Sequence, residues 1–490
     1  MSAADEARVL AAVPDGLLIG GEWRPAGGGA RFDVFDPATG TRLASVADGT
    51  PDDGIEALDA AAAAQDDWAA TPPRVRSELL RATWELVQQR KDDLALLMTL
   101  EMGKPLAESA GEVTYGGEFL RWFAEEAVRI TGRYGTNPEN TGRTIVSQHP
   151  VGPCYFITPW NFPLAMATRK IAPALAAGCT VVIKPAELTP LTTMYVGELF
   201  RQAGLPAGVL NIVPSTAAGP LSERIMDDPR LRKISFTGST PVGVRLMQQA
   251  AKRVLRTSME LGGNAPFVVF DDADLDAAVA GALLAKFRNI GEACTAANRF
   301  LVHEAVADEF ANRLTEQVAA MRVGRGTDPE VRIGPLINEQ AVGKADTLVR
   351  DAVQRGATVR LGGGPVTGSG TFYAPTVLDR VDAGSDILQT EIFGPVVAIT
   401  RFADEAEAVR LANDTEFGLV SYVFTRDLAR GQRMIEGLRT GMMGLNVGVI
   451  SNAAAPFGGV KQSGLGREGG FEGIHEYLDV KYTMTPNPFA

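Results

Sequence analysis

Ala176-Ala-Gly-Cys-Thr180-Val-Val-Ile183-Lys-Pro-Ala-Glu187 holds a helix end, a strand and a turn in one short stretch. Gly178 stops what precedes it, and Pro185 ends the β-branched run. An apolar run this short, closed on both sides, reads as a strand covered on both faces. The same pattern extends outward in both directions. An apolar segment over Cys154 to Thr158 and a helical stretch to about Ala177 come before it. A helix over 190–203, strand Val209–Val213, strand Lys233–Phe236, the turn Thr237-Gly-Ser-Thr-Pro241 and a further helix come after it. Strand and helix in alternation predict a parallel sheet with helices on both faces.

A second series of this kind begins near Asn264. It has strand Pro266–Phe270, a helix over 274–288, strand Arg299–Val302, a helix over 305–320 and, later, Val396–Thr400. At the other end, Gly16 to Val46 reads as short strands around the turn Asp36-Pro-Ala-Thr-Gly40. Helical spacing then runs over Asp52–Ala70, and from Val75 through Glu101 to about Ile130. Leu478–Met484 reads as an edge strand, which is usually paired, here with another subunit. A chain of 490 residues exceeds one core and implies two or three domains.

Apolar residues make up 45% and charged residues 22%, as in a soluble globular protein. The net charge of −12, from 47 basic and 59 acidic residues, argues against nucleic acid or an anionic membrane as partner. No apolar run reaches the ~18 residues of a membrane span. Met-Ser-Ala-Ala-Asp-Glu-Ala-Arg lacks the order of a signal peptide. Three unclustered cysteines fit a reducing cytoplasm. His149, His303 and His475 lie far apart without metal-ligand spacing, so no metal site and no histidine-based triad is expected.

Cys154 and Cys179 sit in or beside apolar runs, the usual place of a small core thiol. Cys294 differs. It lies in Phe287-Arg-Asn-Ile-Gly-Glu-Ala-Cys-Thr-Ala-Ala-Asn-Arg299, among polar and turn residues with a guanidinium on either side. A reactive thiolate belongs in such a setting. With histidine scarce, its base would be a carboxylate. Glu260, in Ser258-Met-Glu-Leu-Gly-Gly263, has apolar neighbours whose burial would raise its pKa toward that of a working base. Asn161, between prolines in Thr158-Pro-Trp-Asn-Phe-Pro163, could be a fixed oxyanion donor. The turn after Phe236 suits a phosphate at a helix N-terminus, and Lys184 and Glu187 past a strand end suit a ribose. Read singly, each has a structural explanation at least as good.

Eight motifs occur together and in one order: Asp36-Pro-Ala-Thr-Gly, Pro159-Trp-Asn-Phe-Pro, Lys184-Pro-Ala-Glu, Phe236-Thr-Gly-Ser, Glu260-Leu-Gly-Gly, Gly291-x-x-Cys294, Glu391-Ile-Phe-Gly-Pro395 and Pro456-Phe-Gly-Gly459. In this the chain resembles the NAD(P)-dependent aldehyde dehydrogenase superfamily over essentially its whole length. The resemblance implies an α/β fold of two Rossmann-like open parallel-sheet domains plus a small β oligomerisation element. Residues 1–131 and 151–262 would bind NAD, 263–462 would form the catalytic domain, and 132–150 and 463–490 would bridge subunits of a homodimer or homotetramer.

The resemblance also implies roles. Cys294 would be the nucleophile, Asn161 and the Cys294 N–H the oxyanion hole, Glu260 the base for water, and Lys170 a proton-relay or cofactor residue. Thr158, Pro159, Trp160, Lys184, Glu187, Gly238, Ser239, Leu261, Glu391 and Phe393 would hold the cofactor. Glu187 would repel a 2′-phosphate, which favours NAD over NADP. Glu260 favours hydrolysis of the thioester over transfer to coenzyme A.

Within the superfamily the chain is most similar to succinate-semialdehyde dehydrogenases. There two arginines and a serine hold the substrate's far carboxylate, and Arg169, Arg288 and Ser451 match them. A guanidinium pair with a hydroxyl suits a carboxylate. The alternatives are that these arginines pair with structural carboxylates, or that the same chemistry serves glutarate semialdehyde or another aliphatic aldehyde. A non-catalytic protein on the same scaffold is disfavoured by the intact set Cys294, Glu260 and Asn161. Two positions depart from the family. Glu292 replaces the usual glutamine and, facing inward, could raise the thiol pKa. Ala296 replaces a second cysteine, so no disulfide switch is expected there.

Overall fold

The structure, a computed structural model, describes residues 2–489. Its largest sheet has eight strands, in the order Gly464–Leu465, Arg256–Glu260, Lys233–Thr237, Cys154–Ile157, Val181–Lys184, Leu210–Ile212, Leu17–Ile19, Glu22–Arg24. From Arg256–Glu260 to Leu210–Ile212 the strands run parallel. The strand over Val181–Lys184 is buried at every position, as its unbroken apolar run requires. Phe236 pairs with Ile157, and Ile157 with Lys184, so these strands end side by side. Ligands of open parallel sheets bind at such carboxyl ends.

A second, seven-stranded sheet runs Thr358–Leu361, Thr376–Asp379, Val396–Phe402, Ala297–His303, Ala265–Val269, Val420–Phe424, Met442–Leu445. All neighbours are parallel except the first pair. Its core centres on Phe267, which lies within 6.4 Å of Phe300, Phe310, Tyr422 and Phe424, measured between ring centroids.

The long helical stretch read from Val75 is three helices, Pro73–Gln89, Lys91–Met102 and Leu106–Glu126. The second ends at Gly103, whose φ of 93° is a left-handed cap, and Pro105 begins the next. A side chain at Gly103 would also strike Pro335, at 2.6 Å. Spacing alone hid these breaks because apolar residues continue through them. The C-terminal strand is Leu478–Pro486, at the edge of a three-stranded antiparallel sheet with Gly142–Pro150 and Arg133–Thr136. Val480, Tyr482 and Met484 on it are exposed. Among the described residues, no helix is long and apolar enough to cross a membrane.

Candidate active site

Cys294 follows a sharp reversal. The helix Leu275–Phe287 ends, and Asn289, Ile290 and Gly291 take φ of 55°, 63° and 80° in succession. A left-handed β-branched residue costs on the order of 1–3 kcal/mol, so the surroundings must hold it there. The Asn289 backbone N–H donates to the Glu108 carboxylate, and its Nδ2 donates to the carbonyls of Asn161 (3.1 Å) and Glu292 (2.8 Å). At Gly291 a Cβ would lie 2.4 Å from the Gly394 carbonyl, which excludes any side chain. The loop therefore presents the thiol at a fixed point beside the Asn161 backbone.

Asn161 is buried and doubly anchored. Lys104 Nζ donates to its carbonyl at 2.8 Å and also pairs with Glu112. Glu112 Oε1 in turn accepts the N–H groups of Leu164 and Ala165 and caps the helix Ala165–Ala177. Asn161 Nδ2 donates to the Glu292 carbonyl at 3.0 Å, while its Oδ1 accepts nothing among the described residues.

Burial pushes the Cys294 thiol up to about 12. Arg169 opposes this most, Glu391 and Glu260 add to it, and Arg288 opposes it less. Glu260 is buried, and both its oxygens lack a hydrogen bond among the described residues. Burial and then the neighbouring Glu468 raise its carboxyl well above the usual range, partly offset by Arg169 and Lys170. An unpartnered buried carboxylate calls for a functional explanation.

One cavity of about 410 Å³ gathers Cys294, Asn161, Pro159, Trp160, Gly238, Ser239, Leu261, Glu391 and Phe393. Phe393, at a φ of 56°, meets Trp160 edge to face at 5.4 Å. Glu391 accepts the Gly263 N–H at 3.1 Å, and burial lifts its carboxyl to about 7. The cavity's walls offer bare backbone and a helix N-terminus to a phosphate. A Cβ at Gly238 would lie 2.4 Å from the Phe236 ring, so the backbone is left bare there. Ser239 caps the helix Thr240–Ala251 without a side-chain bond, which leaves first-turn N–H groups for a phosphate. Thr158, Lys184 and Glu187 lie outside this lining, though Thr158 and Lys184 sit at neighbouring strand ends. Lys184 Nζ is buried and bonds Glu187 Oε2 at 3.1 Å, while Glu187 is half-exposed.

A second cavity, also about 410 Å³, takes Phe162, Tyr115, Glu108, Arg288 and Arg332 into its wall. Arg288 donates to Ser451 Oγ at 3.3 Å and has no carboxylate within 4.0 Å among the described residues. Arg169 sits differently. Its Nε lies 2.5 Å from Glu468 Oε2, and its guanidinium stacks on Phe457 at 4.0 Å. Lys170 donates to Glu468 Oε1 and to Ser235 Oγ. Burial works against ionisation of Glu468, but Lys170 and Arg169 overcome it and hold the carboxyl below its ordinary value.

Arg299 is not a companion of the thiol, because it donates to the carbonyls of Asn264, Leu411 and Ala412. Glu292 faces inward, yet it is not among the groups that act most on Cys294. Its Oε1 accepts the Ile337 N–H at 3.1 Å, and burial raises its carboxyl well above the usual range. Sequence reasoning missed Glu468, Tyr115, Glu108, Lys104 and Lys344, the last in the wall of the Cys294 cavity. Glu468 alone carried a signal, as an acid beside two glycines in Gly466-Arg-Glu-Gly-Gly470.

The sequence model of the Aldehyde dehydrogenase family matches residues 23–483. A succinate-semialdehyde dehydrogenase of Paenarthrobacter nicotinovorans is 59% identical, over 91% of this chain and 99% of that protein. The succinate-semialdehyde dehydrogenase [NADP(+)] of Escherichia coli (strain K12) is 49% identical, over 95% of this chain and 96% of that one. The crystal structure of succinate-semialdehyde dehydrogenase from Burkholderia pseudomallei superposes with a TM-score of 0.96 at 48% identity, covering 97% of this chain and 98% of that one. The two parallel sheets, the cavity around Cys294 and these matches agree, and the chain belongs to the aldehyde dehydrogenase family.

Proposed function

We propose that the chain oxidises succinate semialdehyde to succinate with NAD. The observation that carries the substrate is the Arg288–Ser451 pair, a guanidinium and a hydroxyl 3.3 Å apart with no carboxylate on the guanidinium among the described residues. The pair would hold the far carboxylate and orient the carbonyl toward Cys294. Arg169 would add its field from behind its partner Glu468.

Cys294 Sγ, once its proton has passed to solvent, attacks the aldehyde carbon as the thiolate, and the carbonyl electron pair moves to oxygen. The free N–H of the Asn161 amide and the Cys294 backbone N–H stabilise that oxyanion. Trp160 and Phe393, in the wall of the Cys294 cavity, would hold the nicotinamide, which would supply the hydride acceptor for oxidation of the thiohemiacetal carbon to a thioester. Glu391 would orient its ribose, and Gly238 and Ser239 its pyrophosphate, with Thr158, Pro159 and Leu261 alongside. Glu260 then takes a proton from water, whose oxygen attacks the thioester and releases Cys294. Lys170, beside Glu468, would relay that proton away.

Two finer assignments rest on single features. NAD would be preferred over NADP on the reading of Glu187 as a ribose contact, because its negative charge would repel a 2′-phosphate. Subunits pair through the edge strand Leu478–Pro486, whose exposed Val480, Tyr482 and Met484 suit burial. Residues 1–131 with 151–262 would then bind the cofactor and 263–462 would form the catalytic domain, in a cytoplasmic homodimer or homotetramer.

The test is NAD reduction with succinate semialdehyde, glutarate semialdehyde and propanal, for the wild type and Arg288→Ala. A lost charge-assisted contact of about 1.5–3 kcal/mol raises KM roughly ten- to a hundredfold for the carboxylated aldehydes alone. Equal losses on propanal would mean that Arg288 is structural.

A further inference from the structure

Asn161 and Cys294 come from distant parts of the chain, and one side chain ties them together. Asn161 lies in the turn before the helix Ala165–Ala177, and Cys294 in the loop after the helix Leu275–Phe287. Between them stands Asn289, fully buried at a φ of 55°. Its Nδ2 donates to the Asn161 carbonyl at 3.1 Å and to the Glu292 carbonyl at 2.8 Å. The Glu292 carbonyl also accepts Asn161 Nδ2, at 3.0 Å. The Asn289 carbonyl accepts the Glu292 N–H at 2.8 Å, which closes the turn two residues before Cys294. Chemistry fixes which way the amide points. Turned over, it would set Oδ1 against two carbonyl oxygens, so Nδ2 must face them. Oδ1 is then left without a donor among the described residues, a buried orphan tolerated for the two bonds on the other side.

Asn289 is itself anchored. The helix Leu106–Glu126 carries Glu108 and Glu112 one turn apart. Glu108 accepts the Asn289 N–H, and Glu112 pairs with Lys104, whose Nζ donates to the same Asn161 carbonyl at 2.8 Å. One helix outside the lining of the Cys294 cavity thus holds both segments. The Cys294 N–H makes no hydrogen bond among the described residues, so it is open to an oxyanion.

We propose that Asn289 is a positioning residue that sets the separation and direction of the Asn161 amide and the Cys294 N–H as one oxyanion site. This rests on the reading of Cys294 as nucleophile and of those two groups as its oxyanion donors.

The test uses two reactions of the same thiolate. In acylation by p-nitrophenyl acetate, Sγ bonds the acyl carbon, the carbonyl pair moves to oxygen and then returns, and p-nitrophenolate leaves. In alkylation by iodoacetamide, Sγ displaces iodide from a saturated carbon and no oxyanion forms. Asn289→Gly removes both side-chain bonds and accepts the left-handed backbone. Its acylation rate and its kcat/KM for succinate semialdehyde should fall about a hundredfold, as when an oxyanion donor is lost or displaced by about 1 Å. Its alkylation rate should match that of the wild type. Asn289→Ser, which keeps one shorter donor, should fall between, and it carries the test if the glycine variant does not fold. Equal losses in acylation and alkylation would mean that Asn289 only keeps the loop folded. Unchanged acylation would mean that it holds nothing the oxyanion needs, and either result overturns the proposal. Ester acylation that survives Cys294→Ala would overturn the reading of Cys294, and the proposal with it.

Discussion

Arg169 Nε lies 2.5 Å from Glu468 Oε2, with both side chains buried. Glu468 also takes Lys170, so one carboxylate answers two cations on successive residues of the helix Ala165–Ala177. Arg169 is the positive group that most favours the Cys294 thiolate, while Glu468 raises the neighbouring Glu260. After burial, the pair therefore contributes most to the field in which Cys294 and Glu260 ionise. It does so from outside the lining of either cavity.

Arg169→Ala should cost stability before it costs specificity. Removing one partner of a buried ion pair strands the other and costs about 3–5 kcal/mol, here toward the low end because Lys170 stays on Glu468. The midpoint of denaturant unfolding should fall clearly for Arg169→Ala and hardly at all for the half-exposed Arg288→Ala. Equal midpoints would show that the Arg169–Glu468 pair holds nothing together.

This pair marks the limit of what the sequence disclosed. Strands such as Val181–Lys184 were legible because short β-branched runs end at Lys-Pro or Thr-Gly. The Cys294 loop was legible because a thiol among turn residues is unusual. Glu468 lies 298 residues from Lys170 and reads locally as a loop charge. Nothing beside Arg169 announces a carboxylate at helical spacing, so its partner came only with the fold. The direction of Glu292 was equally hidden, since a side chain next to three left-handed residues follows no simple periodicity.

Glu292→Gln should be well tolerated and Glu292→Ala should not. The buried carboxyl accepts the Ile337 N–H, and burial raises its pKa, so an amide of the same shape can replace it. Alanine leaves that N–H without an acceptor, at about 1–3 kcal/mol. The sign of the pH dependence follows from the raised folded pKa. Below the unfolded value of about 4.3, wild type and Glu292→Gln bear no ionisation penalty. Above it, the unfolded wild type loses a proton that the folded form retains, so wild-type stability falls relative to Glu292→Gln. Denaturant midpoints at about pH 5 and about pH 8 should diverge accordingly. A constant gap would mean that Glu292 is ionised in the fold.

Glu187→Ser should raise the ratio of kcat/KM for NADP to that for NAD. Glu187 is half-exposed and tied to the buried Lys184 Nζ at 3.1 Å. Removing it takes away a repulsion and frees an ammonium for a 2′-phosphate. At a solvent-exposed site the gain is about 1 kcal/mol, or roughly fivefold. A wild type that already favours NADP would refute the role of Glu187 outright.

Cys294 should alkylate slowly at neutral pH despite its partial exposure. Only the thiolate reacts, and with a pKa of about 12 its share at pH 8 is roughly one part in ten thousand. Iodoacetamide labelling of Cys294 in the cofactor-free enzyme should therefore rise about tenfold per pH unit through the mildly alkaline range. Cys154 and Cys179 are fully buried and should remain unlabelled while the fold persists. NAD bound as proposed would bring a cationic ring into the cavity that Cys294 shares with Trp160 and Phe393. An adjacent positive charge favours the thiolate, so the labelling profile should move to lower pH. A profile already flat near neutrality without NAD would show that Arg169 and Arg288 outweigh burial, and that the thiol is ionised before the cofactor arrives.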